Sequence, residues 1–176
     1  MIPDLVLKGK VIKLGDNIST DDIIPGRFAY LRSNLPELAI HVMEDAVPGF
    51  ASRVKAASAA GEGKTILVAG KNLGLGSSRE HAPLVIKMSG ISAILAKSVA
   101  RIFFRNAINQ SLPVLICDTD KIGDGDKLEI NLTGGMIANL TSGIKLSCSK
   151  MPPIMSAILK EGGLIPYIQK HKDFKL

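Results

Sequence analysis

Three short apolar runs within some fifty residues constrain this chain more than any other feature. They are TILVAG at 65–70, ISAILAKS at 91–98 and PVLIC at 113–117, and their length and aliphatic character are typical of buried strands. The segments between them, at 79–88 and 99–110, carry apolar residues at helical spacing. Because a parallel strand pair needs a long crossover, strand–helix–strand–helix–strand predicts a parallel sheet of three strands.

The rest of the chain predicts antiparallel strands and further helices. Residues 6–15 alternate as a strand or hairpin, and KLEINL (127–132) and GIKLSC (143–148) are interpreted as antiparallel strands. Residues 16–34 are polar and contain Pro25 and Gly26, so they are interpreted as a loop. Helical patterns occur at 35–46, 50–60, 152–163 and 164–171, and in the 99–110 helix we expect Val99, Ile102, Phe103 and Ala107 to point inward. We therefore expect an α/β fold, organised as a single domain over residues 1–176.

The charge balance favours an anionic partner. The formal net charge is +6, from 22 Lys and Arg against 16 Asp and Glu, which suits a small anionic ligand but also ordinary solubility. No run of five basic residues occurs, and aromatic residues do not alternate with cations as RNA-binding surfaces require. Nucleic acid is therefore not an expected partner.

The two cysteines, Cys117 and Cys148, lie far apart in the sequence and form no CxxC motif. We expect both to be buried free thiols, and we expect no iron–sulfur cluster or structural zinc on this chain alone. No apolar stretch approaches the roughly 20 residues of a membrane span, and the N-terminus lacks a signal-peptide pattern. The expectation is a soluble protein of the reducing cytoplasm that does not contact a membrane.

The stretch KNLGLGSSREHAP at 71–83 predicts an anion site. A glycine-rich loop between a strand and a helix offers free backbone N–H groups, Ser77 or Ser78 could cap the helix, and Arg79 could bind a carboxylate or phosphate in two-point fashion. The alternative is a structural glycine turn with a serine cap and a surface arginine. The spacing matches neither a P-loop nor a dinucleotide fingerprint.

A second polar segment, STDDIIPGRFAYLRS at 19–33, carries both carboxylates and guanidinium groups. Asp21 and Asp22 could ligate a cation or act as acid and base, and Arg27 and Arg32 could bind anions. The alternative is an Asx-turn with solvated carboxylates. Neither segment supplies a full set of metal ligands.

Three of these stretches together resemble the motifs of the aconitase superfamily. NLGLGSSREHAP resembles its GxGSSREHA motif, NISTDDIIPGR resembles its N-x-x-T-D-x-I-x-P motif, and FFRNAINQSLPV resembles its third marker, in the family's order. The chain looks like the separate small subunit of an aconitase-type hydro-lyase. This resemblance implies a swivelling β/β/α domain, with a short parallel βαβ sheet and flanking antiparallel strands. It also implies a large partner subunit that carries a [4Fe–4S] cluster, with no cofactor on this chain.

The resemblance also implies roles for individual residues. Ser77 matches the family's catalytic serine, whose alkoxide removes a carbon-bound proton, and Asp21 matches an active-site acid. Ser78, Arg79 and Arg32 match residues that bind the substrate. The implied reaction is the reversible removal and re-addition of water on a 2-hydroxy di- or tricarboxylate.

The sequence does not decide which substrate of that class is used. An arginine in the YLRS segment suits an extra carboxylate, whereas Tyr30 and Leu31 could line an apolar pocket. We name 3-isopropylmalate first, with homoaconitate- or aconitate-like substrates and 2,3-dimethylmalate as alternatives. A hypothesis from another class is a non-catalytic, anion-binding regulatory module.

Overall fold

The computed structural model describes residues 6–59 and 63–172, which form one mixed sheet flanked by helices. The strands are β1 Val6–Lys13, β2 Lys64–Ala69, β3 Ile91–Ala96, β4 Val114–Ile116, β5 Lys127–Asn131, β6 Met136–Asn139 and β7 Lys145–Ser147. The helices are α1 Thr20–Ile23, α2 Leu35–Ile40, α3 Phe50–Ala59, α4 His81–Met88, α5 Arg101–Asn109, α6 Pro153–Lys160 and α7 Leu164–His171, with a 3-10 helix at Gly26–Ser33. None of the helices in these ranges is both long enough and apolar enough to cross a bilayer.

The sheet joins a parallel half to an antiparallel half through β1. The strand order is β4-β3-β2-β1-β5-β6-β7. The pairs from β4 to β1 are parallel, and the pairs from β1 to β7 are antiparallel. The expected fold class is confirmed, with β1 added as a fourth parallel strand to the three predicted from the apolar runs.

The two edge strands of the sheet meet and curl it into a nearly closed form. Cys117, just after β4, pairs with Cys148, just after β7, in an isolated antiparallel bridge. Ser149 N–H donates to Ile116 O at 2.8 Å, and Ile116 N–H donates to Ser149 Oγ at 2.9 Å. Just after β4 and β7, the two edges of the sheet therefore cover each other.

Successive residues of the parallel strands fill two separate hydrophobic cores. Leu67 of β2 packs into a core with α1 to α5, whereas its neighbours Ile66 and Val68 pack into a core with β5 to β7, α6 and α7. Because side chains alternate across a strand, a strand buried on both faces needs a continuous apolar sequence. This is why TILVAG contains no polar residue after Thr65, which is itself buried.

The polar segment at 16–34 is not the loop that its composition predicts. Ser19 caps α1: its hydroxyl accepts from Asp22 N–H at 3.1 Å, and the Asp22 carboxylate accepts from Ser19 N–H at 2.7 Å. This reciprocal capping box has the spacing S-x-x-D, which is a helix-start signal in the sequence. The 3-10 helix then follows directly after Pro25.

Other predicted elements differ in extent. The helix predicted at 35–46 ends at Ile40, because turns follow and Met43 has a positive φ of 55°. Strand β6 was not predicted, and it separates β5 from β7. In α5, Ile102 is 50% exposed rather than inward, and Ile108 is buried instead.

Candidate active site

The candidate site lies where the loops after β1, β2 and β3 meet at the carboxyl edge of the parallel strands. The glycine-rich loop (residues 70–80) is hydrogen-bonded to a neighbour on each side. Leu75 O accepts from Thr20 N–H at 2.8 Å, and Leu73 O accepts from Ala100 N–H at 2.9 Å. These bonds extend the parallel register past the strands, and this edge is where parallel sheets usually bind ligands.

Two glycines let this loop pack against its neighbours. Gly74 has a φ of +75°, and a Cβ there would overlap Phe103 of α5. Gly76 has a φ of +100°, and a Cβ there would lie 3.3 Å from the Thr20 hydroxyl. Left-handed backbone and close approach both require glycine, so the GLG spacing is explained by packing.

Ser77 is exposed at the end of the loop and is held next to Thr20. The Thr20 hydroxyl donates to Ser77 O at 3.0 Å and lies 3.4 Å from Ser77 Oγ. The backbone N–H groups of Gly76, Ser77 and Ser78 donate to no acceptor among the described residues. Three consecutive free donors beside a hydroxyl form a concave site that suits an anion.

Neither serine caps α4, contrary to the sequence-based prediction. The helix begins at His81, and its N-cap residue is Glu80, with no side-chain hydrogen bond at the cap. Ser77 and Ser78 precede the helix and are both exposed. Their side chains are therefore not committed to helix capping.

The adjacent carboxylates Asp21 and Asp22 have different partners. Asp22 accepts from Ser19 in the capping box, whereas Asp21 forms an ion pair with Arg79 at 2.6 Å. Arg79 also donates to Ile24 O at 2.8 Å, and its side chain is 22% exposed. These contacts fix the position of Arg79, which lines the same cavity as Ser77.

Arg32 lies near Arg79 but outside the main cavity. Both arginines line a small crevice together with His81, and Arg32 is exposed, with no hydrogen-bond or ion-pair partner in the described part of the chain. Arg27 has a different position, because it donates to Asp45 at 2.7 Å from its second nitrogen and lies over the Phe28 ring. This bond raises the pKa of Arg27 and lowers the pKa of Asp45.

A cavity of about 460 Å³ joins the glycine-rich loop to the start of α5. Sequence reasoning missed the α5 side of this cavity, although FFRNAINQSLPV was recognised as a motif. The signal that could have revealed it is the position of two arginines, four residues apart, just after a strand. The lining residues are Thr20, Gly74, Gly76, Ser77, Ser78, Arg79, Ala100, Arg101, Ile102, Phe103, Arg105 and Asn106.

The described residues contain no group of three or more His, Cys, Asp or Glu side chains that could hold a metal ion. Burial raises the pKa of Cys117 to about 12 and that of Cys148 to about 11. The sequence has only two thiols, which are too few for a four-iron cluster, because such a cluster is usually held by four cysteines. The donor set of this chain does not fit a [4Fe–4S] cluster.

Comparison with known proteins identifies the family of the chain. A model of the aconitase C-terminal domain family matches residues 16–118, which include the glycine-rich loop, both acidic residues and α5. The 3-isopropylmalate dehydratase small subunit 2 of Archaeoglobus fulgidus is 54% identical over 168 residues, which cover 96% of this chain and 98% of the relative.

Two proteins of Methanocaldococcus jannaschii are also similar to the chain. Its isopropylmalate/citramalate isomerase small subunit is 49% identical over 94% of this chain and 95% of the relative. A crystal structure of 3-isopropylmalate dehydratase from the same organism superposes with a TM-score of 0.85, at 42% identity, over 96% of each chain. The chain therefore belongs to the aconitase C-terminal domain family and is similar over almost its whole length to 3-isopropylmalate dehydratase small subunits.

Proposed function

We propose that this chain is the small subunit of a two-subunit hydro-lyase that isomerises a 2-hydroxy acid by removing and re-adding water, with 3-isopropylmalate as the substrate. The main observation that supports this proposal is the exposed Ser77 at the wall of a cavity that is also lined by three arginines. Near-full-length similarity to named small subunits supports the reaction class. Such a protein would serve leucine biosynthesis, and its free thiols suit the reducing cytoplasm.

In this proposal Ser77 Oγ accepts the proton from the carbon next to a substrate carboxylate and returns it in the reverse step. A serine hydroxyl is a poor base in water, so nearby positive charge and free N–H donors must stabilise its alkoxide form. Arg79 supplies such a charge, and the N–H groups of Gly76 to Ser78 supply such donors. Asp21 holds the Arg79 guanidinium in place.

Arg79 and Ser78 would bind a substrate carboxylate, which places the acidic carbon beside Ser77. Guanidinium–carboxylate bonds are directional and charge-assisted, so they orient the substrate as well as attract it. We propose that a large partner subunit carries the [4Fe–4S] cluster, since the donor set of this chain does not fit one. That cluster would supply Lewis acidity at the leaving hydroxyl.

The domain boundaries belong to the same proposal. All described strands share one sheet, and the site draws on loops after three of them. This arrangement supports a single swivelling domain over residues 1–176 that covers the active site of the partner.

A tricarboxylate substrate is the second candidate, because one specific observation favours it. Arg32 is exposed and unpaired within the described residues, and it shares a crevice with Arg79. A homoaconitate- or aconitate-like substrate has a third carboxylate that could pair with it. An isopropyl group could not.

The test of the proposed function is Ser77→Ala in the complex with a cluster-bearing large subunit. We expect kcat for 3-isopropylmalate to fall by about 10²–10⁴-fold, the usual contribution of a positioned acid–base group. Assembly should be unchanged, since Ser77 is exposed and the main hydrogen bond there uses its backbone carbonyl.

The matched control is Ser142→Ala, which removes an exposed serine hydroxyl from the turn between β6 and β7. It should leave kcat unchanged. Full turnover by Ser77→Ala in an intact complex would contradict the catalytic role and favour the non-catalytic module.

A further inference from the structure

The start of α5 presents two arginines to the cavity that contains Ser77. Arg101 and Arg105 both line it and are both exposed. We propose that they form a second anion subsite, which binds one carboxylate of the substrate while Arg79 and Ser78 bind another. This inference rests on the proposed function for the identity of the ligand, a small polycarboxylate.

The two guanidinium groups have no partner of their own. Neither forms a hydrogen bond or an ion pair with any described residue, and no acidic residue lines the cavity. Residues four apart on a helix are neighbours, and like charges at that spacing destabilise the helix slightly. A bound carboxylate would relieve this repulsion and accept hydrogen bonds from both groups.

Arg79 is in a different state, because its charge is already partly compensated. It pairs with Asp21 at 2.6 Å and donates to Ile24 O at 2.8 Å. The uncompensated positive charge of the cavity therefore comes from α5. An incoming polyanion meets its strongest attraction at Arg101 and Arg105.

The subsite is built on a fixed element rather than on a mobile surface. The parallel bridge between Leu73 and Val99 ties the start of α5 to the glycine-rich loop. Phe103, on the inward face of the same helix, is 2% exposed and packs against Gly74. The α5 wall thus keeps a constant position relative to Ser77, as a binding site requires.

Two cationic walls suit a ligand with at least two carboxylates. A monocarboxylate could satisfy only one wall, whereas a dicarboxylate or tricarboxylate can span the cavity of about 460 Å³. Asn106 lines the same wall and offers an amide for a hydroxyl or carboxylate oxygen.

The test titrates the full-length chain, without a partner, with 3-isopropylmalate and with citrate, followed by NMR of the arginine Nε–H groups and backbone amides. We expect saturable shifts at Arg101, Arg105 and Ser77 for both probes. For acetate at equal ionic strength we expect much weaker binding. Arg101→Gln combined with Arg105→Gln should weaken binding by about tenfold or more.

The matched control is Lys145→Gln combined with Lys160→Gln, which removes the same charge from two exposed positions outside the cavity. It should bind both probes like the wild type. If both double variants lose the same affinity for the probes, the effect comes from net charge alone, and the proposed subsite is wrong. Unchanged affinity after the loss of both arginines would also overturn it. If the glutamine variant fails to fold, Arg101→Lys combined with Arg105→Lys keeps the charge and should still lose affinity, because lysine cannot form the two-point contact.

The binding experiment can fail independently of the test of the proposed function. Ser77→Ala turnover tests the reaction, whereas anion affinity of the free chain tests the subsite. If the arginines instead bind an acidic surface of the large subunit, their loss would weaken assembly and leave probe affinity unchanged. That result would overturn the inference and leave the catalytic role of Ser77 intact.

Discussion

At the scale of single residues, the neighbours Asp21 and Asp22 have different partners, and the proposed function gives only Asp21 a role at the site. The Asp22 carboxylate accepts from Ser19 N–H and Oγ at 2.7 and 2.6 Å, whereas Asp21 faces Arg79. Asp22 is the capping-box partner of the N-cap residue Ser19, so we expect Asp22→Ala to lower the free energy of unfolding by about 0.5–1.5 kcal/mol, the usual net contribution of a lost hydrogen bond. Urea unfolding measures this change.

Asp21→Asn is the natural companion variant. Its ion pair with Arg79 is partly exposed, and such pairs contribute about 0–1 kcal/mol to stability. We expect an almost unchanged unfolding midpoint but a higher KM in the complex, because Arg79 loses its fixed orientation. A larger stability loss for Asp21→Asn than for Asp22→Ala would contradict this division.

Arg32 provides the residue-scale test of substrate choice. If it pairs with a distal carboxylate, we expect Arg32→Val to lower kcat/KM for citrate and homocitrate by about tenfold or more. The values for 3-isopropylmalate and 2,3-dimethylmalate should change by less than about threefold, since those substrates lack that group.

Arg27→Gln is the control within the same 3-10 helix. Arg27 is bound to Asp45 and Glu44, away from the crevice, so its loss should leave selectivity unchanged. Equal selectivity of wild type and Arg32→Val would remove the argument for a tricarboxylate substrate.

At the scale of elements, the contact between the glycine-rich loop and α5 decides the shape of the site. Gly74 and Gly49 share a φ of +75°, but a Cβ at Gly74 would overlap Phe103, whereas one at Gly49 meets nothing within 4 Å. We expect Gly49→Ala to cost about 1–2 kcal/mol from backbone strain alone. Gly74→Ala should cost about 1–3 kcal/mol more, since α5 must shift.

Chemical denaturation of both variants measures this difference, and the two positions control each other. Equal destabilisation would mean that the loop and α5 can separate without cost. In that case the wall carrying Arg101 and Arg105 is not fixed relative to Ser77, and the Gly74 variant should also keep its turnover.

The strands and helices also differ in how well the sequence predicts them. The parallel strands were predictable because β2 and β3 are buried on both faces over most of their length and therefore have nearly continuous apolar sequences. Strand β6 was missed because only four residues, MIAN, lie between turns. Helix α1 was missed because a single capped turn is too short for helical periodicity, although its capping box was present.

For the site, the motifs predicted that Ser77, Arg79 and Asp21 belong together. In the structure, Ser77 lies beside Thr20, and the next residue, Asp21, pairs with Arg79. The contribution of Arg101 and Arg105 depends on how α5 packs on the loop. That packing follows from Phe103 and Gly74, which are 29 residues apart. Such a contact between distant residues has no local signal in the sequence.

At the scale of the whole molecule, the closure of the sheet determines the state of both thiols. Cys117 and Cys148 face each other where the edge strands meet, and both pack against the core formed with β5 to β7. Burial, followed by the charges of Cys148 and Asp118, raises the pKa of Cys117 from 9.0 to about 12. Burial raises that of Cys148 from 9.0 to about 11.

Alkaline unfolding therefore reports on this closure. Well below pH 9 both thiols are protonated in the folded and unfolded chains, so their contribution to stability is fully present. Above pH 9 the unfolded chain releases protons that the folded chain retains, and this contribution is lost progressively as the pH rises towards 11 and 12. Cys117, which is buried, should add a slope of about 1 kcal/mol per pH unit in that window, and Cys148, which is only partly buried, should add less. Urea unfolding between pH 8 and pH 11 should show a steeper loss for the wild type than for Cys117→Ala combined with Cys148→Ala. Because the slopes are compared, the lower absolute stability of the double variant does not affect the result, and equal slopes would mean that the thiols are not enclosed where the edge strands meet.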